Sequence, residues 1–114
     1  IHKNLPDRKL ILSGEVNNPY SLRHKDCIKI LHSSDFENIV KGRYSIMINI
    51  DGLTEMFCDD AKRYINSDCA DVLLSINHEV NDFRVVELTN TKKLIYRYPF
   101  WLREGYVEEL YKLL

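Results

Sequence analysis

His78, Glu87 and Tyr96 are the residues whose types combine most readily into chemistry. Strand alternation, developed below, makes His78 and Glu87 diagonal neighbours roughly 7 to 8 Å apart, with the Tyr96 ring beside them. A carboxylate that accepts a hydrogen bond from an imidazole orients the ring and raises its pKa, the arrangement used for general acid–base work. The same three side chains also make an ordinary satisfied polar group at a sheet margin. The sequence therefore leaves a catalytic or ligand-binding pocket and a structural pairing both open.

Phe100, Trp101 and Arg103 form a second candidate set, lying just after Pro99 in a connecting segment. Two large rings in a connection either cover the edge of a core or stay exposed as the anchor of a protein interface. The same stretch interleaves Lys92, Lys93, Arg97 and Arg103 with Tyr96, Tyr98, Phe100 and Trp101 and contains no acid. Single-stranded nucleic acid calls for rings and cations exposed together. Alternation instead sends Tyr96 and Tyr98 to one side and Lys93 and Arg97 to the other, so nucleic-acid binding is the weakest reading of this stretch.

Metal chemistry has less to draw on. Asp51 closes a strand and is followed by Glu55, Asp59 and Asp60, enough carboxylates for a magnesium ion, although Glu55 and Asp59 equally suit the first turn of a solvated helix. His24, Cys27 and His32 lack the four paired ligands of structural zinc. Gly14, Gly42, Gly52 and Gly105 are too scattered for a phosphate-cradling loop. Neither a metal nor a cofactor follows from these residues.

The 114 residues carry 16 Lys+Arg against 17 Asp+Glu, so no bulk field attracts nucleic acid or an anionic membrane. Apolar residues at 45% and charged residues at 29% have the balance of a globular protein rather than a disordered chain. One domain over residues 1–114 is expected at this length, with ends that are open to trimming. Cys27, Cys58 and Cys69 form no C-x-x-C pair, which suits reduced thiols in the cytoplasm. No long apolar run marks a membrane span or a signal peptide.

The elements that must position these residues are read from periodicity. Leu10 to Val16 predicts a strand over 9–16, closed by Asn17, Asn18 and Pro19. Ser21, Leu22, Cys27, Ile28 and Leu31 predict a helix, with 27–31 also compatible with an extended segment. Ser34 and Glu37 have capping-box spacing before a helix over 35–41 that ends at Gly42. Tyr44, Ile46, Ile48 and Ile50 alternate with polar residues as a strand. Thr54 is a candidate cap for a helix carrying Phe57, Ala61, Tyr64 and Ile65.

Alternation over Val72–Val80, Phe83–Leu88 and Lys93–Tyr98 predicts a three-stranded antiparallel meander, and Tyr106, Val107, Leu110, Tyr111 and Leu114 have the spacing of a helix. Two-residue hairpins would pair Val80 with Phe83 and Glu79 with Arg84, and would put Val72, Leu74 and Ile76 on the core face.

The stretches L-I-L-S-G-E-V and I-M-I-N-I-D-G-L are similar to STAS domains of anti-sigma factor antagonists over about half of the chain. Where those domains place a phosphorylatable serine at the next helix start, this sequence has Cys58, Asp59 and Asp60, and the later strands depart from that pattern, so membership does not follow. The expected fold is a mixed α+β sandwich with helices mainly on one face of the sheet. The expected function is a non-enzymatic interaction or regulatory protein that binds a protein partner or itself. A His78/Glu87/Tyr96 pocket and a weak nucleic-acid binder are the alternatives.

Overall fold

The computed structural model describes residues 7–20, 26–39 and 42–114. The chain divides into two compact units, Ile1–Val40 and Lys41–Leu114.

In the first unit, β1 (Lys9–Leu12) and β2 (Cys27–Ile30) pair in parallel, with Leu10 opposite Ile28 and Leu12 opposite Ile30. β1 stops short of the expected residue 16. The amide of Leu12 donates to the Glu15 carboxylate at 2.8 Å, the Glu15 amide returns to the Leu12 carbonyl, and Gly14 turns with φ +83°. The helix expected from Ser21 begins outside the described residues, and Cys27–Ile30 is a strand rather than its continuation. The segment expected as a helix over 35–41 is a 3-10 turn over Ser33–Asn38, capped by His32 instead of Ser34. The Ser34 amide donates to His32 Nδ1 at 3.2 Å.

The second unit is a four-stranded mixed sheet with two helices. β3 (Tyr44–Ile50) and α1 (Cys58–Asn66) lead to β4 (Ala70–His78), then to α2 (Val85–Leu88), β5 (Lys93–Pro99) and β6 (Tyr106–Lys112). The strand order is β3-β4-β6-β5. β3 and β4 are parallel, as a helical crossover between them requires, and β6 is antiparallel to both β4 and β5. The architecture is α+β with antiparallel strands in its C-terminal part.

α1 forms where Ala61 and Ile65 recur at i,i+4, and both are fully buried. Its cap is Phe57, because Thr54 is already held in a 3-10 turn over Leu53–Glu55. Leu73 of β4 and Tyr111 of β6, which face each other in the register, pack with Ala61, Ile65, Val85 and Leu88 into the core.

This corrects the meander. Phe83–Leu88 is not a strand: Val85–Leu88 is one helical turn, and the Glu87 carboxylate closes it by accepting from Arg84 twice over, from the backbone amide at 3.1 Å and from the guanidinium at 2.9 Å. The Glu79–Arg84 cross-strand pair is therefore absent; Glu79 pairs with Arg97 instead. Residues 106–112 form a strand, not a helix, because they lie between two other strands and gain a hydrogen-bonded ladder on both edges.

The faces of β4 are also exchanged. Leu73, Ser75 and Asn77 point to the helix side, whereas Ile46, Ile48 and Ile50 of β3 alternate on the other, with Ile48 58% and Ile50 62% exposed. The buried polar residues on the helix side satisfy one another. Asn77 Nδ2 donates to Ser75 Oγ at 2.9 Å and to Asn49 Oδ1 at 3.1 Å, and the Gly52 and Leu53 amides donate to Asn77 Oδ1 and Asn49 Oδ1.

Candidate functional site

The connection between β5 and β6 is a tight turn that presents apolar side chains outward. The Phe100 amide donates to the Tyr106 carbonyl at 2.8 Å, the Arg103 amide to the Phe100 carbonyl at 3.1 Å and the Tyr106 amide to the Arg103 carbonyl at 3.3 Å. Gly105 completes the turn at φ +79°, where a Cβ would sit 3.2 Å from His78 Nε2. Only glycine combines that backbone conformation with so close an approach. Trp101 is 85% exposed and Leu102 62% exposed on this turn, while Phe100 is half-buried.

The turn is anchored across the carboxyl ends of β3 and β4. Asp51, held at φ 54° just after β3, accepts a hydrogen bond from the Tyr106 hydroxyl at 2.7 Å and one from Arg103 Nη1 at 3.0 Å. The Arg103 guanidinium lies 4.2 Å above the Tyr106 ring, and the His78 ring meets the same tyrosine edge-on at 4.8 Å. His78 Nδ1 accepts the Val80 amide at 3.2 Å.

The Tyr106 hydrogen bond, followed by that from Arg103, lowers the Asp51 pKa from the ordinary aspartate value. The same bond to Asp51 raises the Tyr106 phenol. Both groups move away from neutrality, the reverse of what proton transfer near pH 7 asks for. This cluster fastens a turn.

The six sequence-predicted residues fall into separate places. Phe100, Trp101 and Arg103 share the turn, but Arg103 points back to Asp51 as part of the anchor. His78 joins that anchor through Tyr106. Glu87 is occupied with Arg84 at the start of α2, and the backbone and guanidinium bonds from Arg84 lower its pKa. The Tyr96 hydroxyl donates to Glu108 at 2.8 Å, a bond that raises the phenol pKa. Tyr96 faces Leu110 while His78 faces Tyr106, four residues along β6 and so about 13 Å apart in the strand direction. His78, Glu87 and Tyr96 thus have three different sets of contacts.

Three of the four cations of the basic–aromatic stretch are also engaged. Lys92 holds Asp68, Arg103 holds Asp51, and Arg97 bridges Glu79 and the buried Glu109, with Nε 2.8 Å from the latter. Burial raises the Glu109 pKa. Asp51 and Tyr106 act together in a way the sequence hid: Asp51 was visible as a strand-terminal acid, but Tyr106 carried only an apolar periodicity.

Among the described residues, no three His, Cys, Asp or Glu side chains converge as metal ligands, and no helix is long and apolar enough to cross a membrane. His24 lies outside the described residues. Cys58 and Cys69 are free thiols. Within the first unit a cavity of about 570 Å³ is lined by Asn17, Asn18 and Asn38 beside Pro19 and Tyr20. Comparison of the chain with family models, with curated proteins and with solved structures finds no match in any of the three.

Proposed function

We propose that this chain is a non-enzymatic binding module that engages a protein partner through the β5–β6 turn, with Trp101 as the anchoring side chain. The observation that carries this reading is an indole 85% exposed on a turn braced by Asp51, Arg103 and Tyr106. A tryptophan this exposed gains most when a partner buries it, and tryptophan is enriched at the energetic centres of interfaces. A turn already held in one conformation loses little further entropy on binding.

Trp101 is the single tryptophan of the chain, so its fluorescence reports directly on the turn. The test uses the purified chain as bait, followed by titration of an identified, purified partner. Binding shields the indole from quencher, and Trp101→Ala weakens it by at least about tenfold with an unchanged circular dichroism spectrum. A partner that binds wild type and Trp101→Ala equally overturns the reading.

The asparagine-lined cavity favours a second reading, capture of an uncharged polar small molecule, since its volume lies within the ordinary range for ligand sites. A thermal-shift screen of neutral polyols and amides against wild type and Asn38→Leu tests it. Stabilisation of both proteins alike counts against the cavity.

A further inference from the structure

The two edges of the four-stranded sheet are unlike. β5, at one edge, carries Lys93, Arg97 and Pro99, residues that discourage pairing with another strand. β3, at the other, reads Tyr-Ser-Ile-Met-Ile-Asn-Ile, seven residues with no charge and no proline. Among the described residues, no strand pairs with its outer side. Its Ile46, Ile48 and Ile50 side chains are exposed. A long, uncharged, apolar edge strand is a template for another extended segment.

The order of residues within β3 identifies that segment. Reversed about its central Met47, the strand presents the same classes of residue at every position. We infer that two copies of this chain associate by pairing β3 with β3, antiparallel, about a two-fold axis through Met47. Tyr44 then lies opposite the partner's Ile50, Ser45 opposite the partner's Asn49, Ile46 opposite the partner's Ile48, and Met47 opposite its own counterpart. Apolar meets apolar and polar meets polar in all of these pairs, and no like charges oppose.

The pairing adds on the order of six interchain hydrogen bonds and a row of β-branched cross-strand contacts. It extends the sheet to eight strands. Because β5 is guarded, the assembly closes as a two-fold dimer and does not grow further. The contact is smaller than the roughly 800 Å² per partner of a standard interface, so the dimer is concentration-dependent. Its pairing edge is the outer side of β3, whereas the Trp101 turn joins β5 to β6 and reaches β3 only through Arg103 at Asp51, just past the paired residues.

Sedimentation velocity between about 1 µM and about 1 mM, a range that brackets weak self-association, gives the mass. The expected result is a rise from 13.5 kDa to twice that value. Ile48→Lys, a change at an exposed side chain, weakens association by at least about tenfold, because each introduced lysine faces isoleucine and the two lysines are diagonal neighbours.

A cysteine pair fixes the register in a background of Cys27→Ser, Cys58→Ser and Cys69→Ala. Ile46→Cys and Ile48→Cys each stay uncrosslinked alone but form a disulfide-linked dimer when mixed and oxidised, since directly opposite residues lie within disulfide reach and diagonal ones do not. A monomer at all concentrations overturns the inference. So does a dimer indifferent to Ile48→Lys, one dissolved by Trp101→Ala instead, or a mixture that fails to crosslink.

Discussion

Tyr111 carries a buried hydroxyl that has no hydrogen-bond partner among the described residues. It is buried in the core, with Thr89 and Glu109 beside it, yet its hydroxyl meets hydrogen-bond geometry with neither. Burial drives the phenol pKa far above its usual value. A buried polar atom without a partner costs about 1–3 kcal/mol, so Tyr111→Phe is expected to raise stability by about 1 kcal/mol in denaturant titration.

Gly105 argues in the opposite direction. Its positive φ strains any side chain, and a Cβ there would press on the His78 ring at 3.2 Å. Gly105→Ala should cost about 1–2 kcal/mol from the backbone conformation alone, and a change in Trp101 fluorescence should accompany it. His78, Glu87 and Tyr96 were legible as polar chemistry in an apolar pattern, but not as separate contacts. A one-residue difference in register, or one helical turn in place of a strand, moves every such neighbour.

At the scale of elements, the two sides of β4 are energetically unequal. Leu73 is fully buried under α1 and α2, whereas its neighbour Leu74 is half-buried on the side shared with the exposed isoleucines of β3. Leu73→Ala should cost about 2–5 kcal/mol, and Leu74→Ala markedly less. Equal losses in chemical denaturation would contradict the one-sided cover of the sheet.

β3, β5 and the body of α1 were legible as elements because alternation and i,i+4 spacing set strand or helix locally, although the alternating isoleucines of β3 and Tyr98 of β5 lie on the exposed side while Arg97 turns to the buried Glu109. β6 was not, because Tyr106, Val107, Leu110 and Tyr111 satisfy a helical stripe as readily as a strand with one buried face. Arg84 and Glu87 escape a local reading for a related reason: alternation over 83–88 puts both on one strand, Arg84 opposite Glu79 and Glu87 diagonal to His78, whereas their spacing of three closes a helical turn.

For the molecule as a whole, the residues that define the core cluster all belong to Lys41–Leu114. That segment should unfold cooperatively when expressed alone, although at its length its margin of stability is small. Ile1–Val40, whose two strands have four residues each, should not. Calorimetry of the two segments checks this.

The pH dependence of folding has two contributions of opposite sign. Asp51, whose pKa is lowered in the folded state by Tyr106 and then Arg103, contributes stability that is present above the ordinary aspartate pKa and is lost as pH falls through the lowered value. Glu109, raised by burial, contributes stability that is present below the ordinary glutamate pKa and is lost as pH rises through the raised value. Asp51→Asn should therefore flatten the acid limb of the stability profile, and Glu109→Gln the limb above the ordinary carboxylate range. Urea midpoints across that range separate the two.

Taken alone, the sequence determined the α+β class, the β3 and β5 strands, the buried stripe of α1 and the presence of large rings near residue 100. The element types follow from local periodicity, which packing left in place even where it chose the opposite face. Only tertiary structure decided that β6 is a strand inserted between β4 and β5, that Ser75 and Asn77 face the helices, and that Asp51, Arg103 and Tyr106 meet. Each of those outcomes depends on a hydrogen-bonding partner distant along the chain, and a strand ladder binds residues whose separation no local pattern records.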